Sequence, residues 1–232
     1  MHRRFFSIVV PVYNEERIIE KALEYLLSIE YPKDRYEIIV VENGSTDATF
    51  ALAKKHESRN CHVCQSEKGV SKARNFGATQ CSPDMEWCIF LDADTFLKKN
   101  ILNEISAYLD AHPDVAFGTT TVWLDDETFA GRFWSRYLNS TDRLVKIMHR
   151  AHIVRRDLID KVSYDEELVS GEDMKYSRAL AKYGKYFFMP TDQVITSARR
   201  FKQKGYLKMF FINMQSGLPK HLLKRCGWEA IR

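Results

Sequence analysis

No apolar run in the chain approaches the roughly 18–20 residues that a transmembrane helix needs. The basic start, Met1-His2-Arg3-Arg4, leads into an apolar stretch that Pro11, Asn14 and Glu15 interrupt too early for a signal peptide. Cysteine is sparse: five are scattered over 232 residues, an odd number without the spacing of a secreted disulfide framework. Cys61 and Cys64 form a CxxC, but Cys81 and Cys88 are too widely spaced to complete a zinc site, and alternating strand residues account for the first pair. A cytoplasmic location is expected, and there the glycosylation sequons at Asn43 and Asn139 carry no weight. Repeats, low-complexity segments, Gly/Ser linkers, a Walker loop and a G-x-G-x-x-G turn are all missing. Neither charge dominates: 35 basic and 31 acidic residues leave +4. That balance falls short of a dedicated nucleic-acid binder, but suits phosphate-bearing small molecules or contact with an anionic membrane surface.

What is present is apolar content enough, 45%, for the core of one α/β domain. Residues 7–12, 36–41, 61–65 and 87–91 read as short strands, and the second is apolar enough to be buried on both faces. Between them lie helical patterns. Ile18, Ile19, Ala22, Leu23, Leu26 and Leu27 share one face. A second helix spans about 46–58, a third 71–79 with Ser71 as its N-cap, and a fourth carries Ile101, Ile105 and Leu109. Such alternation implies right-handed βαβ units and a mostly parallel sheet. The later half reads as a strand over 115–124, a helix over about 133–148, and a helix from Gly171 that ends near Gly184 as C-cap. Short strands over 186–189 and 194–197 follow, then a basic amphipathic tail.

Ligands of open α/β sheets gather beyond the carboxyl ends of the parallel strands. Here each of the first four strands runs into a polar cluster: Tyr13-Asn14-Glu15, Glu42-Asn43-Gly44-Ser45, Lys68 to Asn75, and Asp92-Ala93-Asp94. Two carboxylates at i and i+2 on extended chain can face one way and offer hard oxygen ligands to Mg²⁺ or Mn²⁺. Lys68, Lys72 and Arg74 supply cations around Gly69, where backbone can approach a phosphate. Asn14 and Ser45 serve equally well as helix caps. Glu172 and Asp173 suit either a helix dipole or acid–base chemistry. His149 and His152 read as capping histidines or an added metal ligand, and Trp123 and Trp134 as core or as acceptor-side stacking residues.

Taken in order, Val9-Val10-Pro11-Val12-Tyr13-Asn14-Glu15, Val40-Val41-Glu42-Asn43-Gly44-Ser45-Thr46-Asp47, Lys68-Gly69 through Arg74-Asn75, Asp92-Ala93-Asp94 and Gly171-Glu172-Asp173 resemble the successive motifs of family 2 glycosyltransferases. The resemblance spans residues 6–200. It implies a GT-A (Rossmann-like) fold: a mostly parallel central mixed sheet flanked by helices. A single domain over 1–232 is expected, with a nucleotide-sugar (donor) half over 1–100, an acceptor half over 101–200 and the tail over 201–232. It further implies a metal-dependent, inverting transfer of a sugar from a nucleotide-diphosphate sugar to an acceptor hydroxyl, in polysaccharide or glycolipid biosynthesis. Pro11, Tyr13 and Glu15 would line the nucleoside pocket, Glu42 and Asn43 would lie near base and ribose, and Lys68, Lys72 and Arg74 near the phosphates. Asp92 would lie near ribose and metal, Asp94 would bind Mn²⁺ or Mg²⁺, and Asp173 would be the general base beside Glu172.

Many members carry two Asp where this chain has Glu42-Asn43; a UDP-sugar is favoured, yet an Asn amide both donates and accepts, so the base stays open. The usual Gln-x-x-Arg-Trp is missing near Ser197-Ala198-Arg199-Arg200-Phe201, which disfavours processive synthesis. The acceptor is expected to be a glycan or a lipid-linked sugar, with no nucleic-acid partner and with peripheral membrane contact through the tail. Two alternatives compete. A nucleotidyltransferase would place a Gly-rich phosphate loop where Pro11-Val12-Tyr13-Asn14 stands. A catalytically silent sugar-nucleotide or glycan-binding module would have no need of Asp94 and Asp173.

Overall fold

Three strands are apolar on both faces because both are covered. Strand β1 (Phe6–Val12) and strand β4 (Trp87–Leu91) are buried throughout, and β2 (Tyr36–Glu42) at all but one residue. The computed structural model describes residues 3–168, 170–206 and 208. The tail beyond them, on which membrane contact was expected, lies outside the described residues. Strands β1, β2, β4, β3 (Cys61–Gln65), β6 (Val115–Thr120), β8 (Ala151–Arg155) and β9 (Lys185–Met189) form a seven-stranded sheet in the order β3-β2-β1-β4-β8-β6-β9. All run parallel except β8, which is antiparallel to both neighbours.

The chain winds outward from β1 through α1 (Ile19–Leu27), β2 and α2 (Thr49–Lys54) to β3. It then returns through α3 (Val70–Thr79) to β4, on the other side of β1. The winding direction therefore reverses between β1 and β4, where the strand ends leave a crevice. Alternation along each strand divides the core in two. Ile8, Val10, Ile38 and Val40 meet Ile19, Leu23 and Leu26 of α1 and Ile101 and Ile105 of α4 (Ile101–Ala111). Val9, Ile39, Val41 and Phe90 meet Ala73 of α3 and Tyr176 and Leu180 of α7 (Glu172–Leu180). Gly77 lets α3 lie tight on the sheet: a Cβ there would stand 2.3 Å from Val9 Cγ1.

Several sequence expectations change. Residues 115–124 do not form one strand. The chain leaves the main sheet after Thr120, and β7 (Trp123–Leu124) joins β5 (Thr95–Leu97) and β10 (Val194–Thr196) in a small second sheet. Strand β8 occupies a stretch to which the sequence pattern assigns no element. The helix expected over 46–58 is the shorter α2, and that over 133–148 is α5 (Phe129–Val145). Ser71 is no N-cap. Gly69, at φ +137°, holds that position, and Ser71 lies buried within the first turn of α3. Gly184 is no left-handed cap either: α7 ends at Leu180, and a Cβ on Gly184 would meet Ala116 at 2.4 Å. Two further helices are α6 (Arg156–Ile159) and α8 (Arg199–Lys204). Among the described residues no helix is long and apolar enough to cross a membrane.

Candidate active site

Register brings the polar clusters together. Val12 of β1 pairs with Glu42 of β2, which pairs with Gln65 of β3, so three loops leave the sheet at one level. Across β1, Val9 pairs with Phe90, and Asp92 follows two residues on. Asn14, at φ 52°, and Ser45 bind one another's loops rather than cap helices. The Asn14 amide donates to Ser45 Oγ (3.0 Å), and the Thr46 amide donates to Asn14 Oδ1 (2.8 Å). Asn43 donates from Nδ2 to the Val12 carbonyl (2.9 Å), tying β2's exit to β1's. The result is a cleft of about 910 Å³ at the point where the winding reverses.

Pro11, Tyr13, Glu15, Asn43, Lys68, Arg74, Asp92, Asp94, Glu172 and Asp173 all line it. Glu42 and Lys72 do not. The buried Glu42 carboxylate accepts from the Ser45 amide and from Gln65 Nε2 (2.9 Å), so it shapes the loop from behind. Those donors outweigh burial and hold it below the usual carboxylate range. Lys72 lies on the exposed side of α3 and pairs with Glu67. Lys68 stays at the rim, its ammonium donating to the Tyr13 hydroxyl (2.8 Å) and lying 4.6 Å above that ring.

Arg74 is the centre of charge. It is 3% exposed, donates from Nη1 to Asp173 Oδ1 (2.7 Å) and from Nη2 to Asp92 Oδ1 (2.9 Å), and stacks 5.0 Å from the Tyr164 ring. Burial works against its charge, but the field of Asp173 and its acidic neighbours prevails, so the guanidinium is held more firmly protonated than usual. For Asp173 burial works toward neutrality, yet the Arg74 guanidinium beside it keeps its carboxyl well below the usual range. Gly171, at φ 81°, turns the chain sharply into α7, which fixes Glu172 and Asp173 in its first turn.

His152 sits behind this pair. It is fully buried, its Nδ1 meets the Tyr164 hydroxyl (2.5 Å), and its Nε2 faces Asp173 Oδ1 at 3.6 Å. Desolvation drops its pKa to about 4, so the ring is neutral. His149 instead contacts Asp142 of α5 (2.6 Å). Trp134 packs with Leu124, Ala198 and Phe201, as core, while Trp123 donates to the Thr191 carbonyl (3.0 Å).

Asp94 lies on the floor, its side chain 14% exposed, with Arg200 3.9 Å away. Burial, then Asp92 and Glu15, push its pKa up to about 6 against the pull of Arg200. A carboxylate so disfavoured as an isolated charge is suited to a cation, and with Asp92 the donor set is the hard-oxygen pair that Mg²⁺ or Mn²⁺ accepts beside phosphate oxygens. Among the described residues no cluster of three or more His, Cys, Asp or Glu side chains is arranged around a metal position, and Cys61, Cys64, Cys81 and Cys88 are free thiols. Sequence reading underrated α8. Its Arg199, Arg200, Gln203 and Lys204 close the cleft, and Arg199 Nη2 donates to both Glu15 oxygens (2.7 and 3.0 Å). The double arginine was the available signal.

The family pattern described as "Glycosyl transferase family 2" matches residues 7–166. The chain belongs to that family of transferases, and its fold is GT-A. It is 34% identical over 111 residues to the poly(ribitol-phosphate) beta-N-acetylglucosaminyltransferase TarS of Staphylococcus aureus, covering 46% of this chain and 19% of TarS. The crystal structure of S. aureus TarS 1-349 in complex with UDP-GlcNAc superposes with a TM-score of 0.68 at 22% identity, over 83% of this chain and 58% of that one. The mannosyltransferase PcManGT from Pyrobaculum calidifontis, in complex with GDP-Man and Mn²⁺, gives 0.66 at 19% identity, over 97% and 68%. The chain thus spans a minor part of TarS.

Proposed function

We propose that the protein is an inverting glycosyltransferase that moves a sugar from a nucleotide-diphosphate sugar, a UDP-sugar foremost, to a hydroxyl of a glycan or lipid-linked acceptor at the cytoplasmic face. Residues 1–100 serve the donor and 101–200 the acceptor within one domain. The observation that carries this reading is Arg74, buried in the cleft between Asp92 on the donor side and Asp173 on α7. Tyr13, Glu15 and Asn43 receive the nucleoside, and Lys68 and Arg74 receive the diphosphate. A divalent cation held by Asp94 and Asp92 supplies charge neutralisation for the leaving group when bound; the relative solved with Mn²⁺ supports this.

Asp173 takes the proton of the acceptor hydroxyl as that oxygen attacks the anomeric carbon, and Glu172 positions the acceptor. In the free protein Arg74 keeps Asp173 ionised but weakly basic. A diphosphate that engages Arg74 weakens that field, so basicity rises when donor is in place. A single displacement from the opposite face inverts the anomeric centre. Calorimetry with UDP and GDP, with and without Mn²⁺, joined to a transfer assay of Asp173→Asn, tests the scheme. Nucleotide binding should survive in the variant while transfer falls by roughly 10²–10⁴-fold. Full transfer by Asp173→Asn places the base elsewhere. Binding without any donor turnover by the wild type indicates a silent binding module, and release of pyrophosphate a nucleotidyltransferase.

A further inference from the structure

Helix α5 carries large apolar side chains into solvent on the face turned away from the core. Phe129 is 87% exposed, Phe133 55% and Leu144 80%, although Trp134 and Asn139 on the other flanks of the helix are buried. At 100° per residue Phe129, Phe133 and Leu144 fall on one ridge of the helix. Arg132, Arg136 and Arg143 form a neighbouring row, and all three are exposed, as is Lys146 just past the helix. The single acid within α5, Asp142, is buried against His149; of the three acids that precede the helix, Asp126 is buried against Tyr206 while Asp125 and Glu127 are exposed. The outer face is therefore apolar and cationic together.

We infer that this face of α5 docks on an anionic lipid bilayer, with Phe129, Phe133 and Leu144 entering the headgroup boundary and the arginine row meeting lipid phosphates. Charge selects this occupant. A second copy packed two-fold on the same patch would set one arginine row against another. The chain's own tail, with Lys208, Lys220, Lys224 and Arg225, brings more positive charge to it. An anionic surface with an apolar interior answers both features. The last turn of α5 holds His149 through Asp142. The inference concerns a surface outside the cleft and stands whether or not Asp173 is the base.

The test is co-sedimentation of the full chain with phosphatidylcholine vesicles, with and without phosphatidylglycerol. Two variants accompany it: Phe129→Ser/Phe133→Ser/Leu144→Ser and Arg132→Glu/Arg136→Glu/Arg143→Glu. The altered side chains are exposed, and circular dichroism checks that each variant is folded. The wild type should pellet with the phosphatidylglycerol vesicles and not with phosphatidylcholine alone. The arginine variant should lose binding about a hundredfold, since each of three basic contacts is worth roughly fivefold, and the serine variant at least about tenfold through lost apolar burial. Wild-type binding by the folded variants overturns the assignment, as does a wild type that ignores anionic vesicles. A variant that changes the sedimentation coefficient in the absence of lipid makes the face a protein contact and overturns it too.

Discussion

At the residue scale, His152 and Asp94 show how burial tunes single groups. A base whose folded pKa lies below its unfolded one binds fewer protons folded than unfolded between the two values. For His152 those values are 6.5 and about 4. Stability is therefore intact above about pH 6.5 and declines as pH falls toward 4. His152→Gln should flatten that acid limb, by on the order of 3 kcal/mol at most, in urea titrations run across that window. The same ring faces Asp173, so His152→Leu should lower kcat with little change in donor KM, and the Gln amide should restore much of it. Equal kcat in wild type and His152→Leu would remove this positioning role. For Asp94, replacement by Ala should leave a folded protein whose nucleoside diphosphate affinity no longer responds to Mn²⁺. Calorimetry showing an undiminished metal response would move the cation site elsewhere.

Among the elements, β1 to β4 and their helices were legible because each is a short apolar run or one amphipathic face, and their local pattern agrees with their tertiary role. Strand β8 was not. Ala151–Arg155 is five residues set among His149, Arg150 and Arg156, and nothing local marks it as the antiparallel member between β4 and β6. The break after Thr120 escaped for a related reason: residues 115–124 read continuously as strand, while the switch to the small sheet is dictated by pairing of β7 with β10. In the site, strand-end motifs pointed to Arg74, Asp92 and Asp94, and the Gly171-Glu172-Asp173 helix start pointed to Asp173, and all four line the cleft. Glu42 and Lys72 share those motifs, but their side chains leave on the wrong side, which spacing alone does not reveal. Helix α3 offers a direct check. Gly77→Ala puts a methyl carbon 2.3 Å from Val9 Cγ1, so α3 must lift, at about 1–3 kcal/mol, the usual range for overpacking. Urea midpoints read that loss, and an unchanged midpoint would mean that the contact relaxes freely.

For the molecule as a whole, the ion pair of Glu15 with Arg199 joins the loop after the first strand to the last described helix, 184 residues away. Arg199→Ala should cost about 1–3 kcal/mol, the range for stranding a charged hydrogen-bonded partner. Adding Glu15→Gln should restore part of it, a non-additivity that a double-mutant cycle reads directly. The pair also has a consequence for synthesis. On a ribosome, β1 to β4 emerge and can assemble early, since domains form from the amino end as they are made. The partner of Glu15 is translated long afterwards, together with the arginine and lysine that wall the cleft. A nascent chain can thus own the β1–β4 part of its sheet while its nucleotide cleft still lacks a wall, and the pocket closes only when the late helix swings back to the chain's first loop.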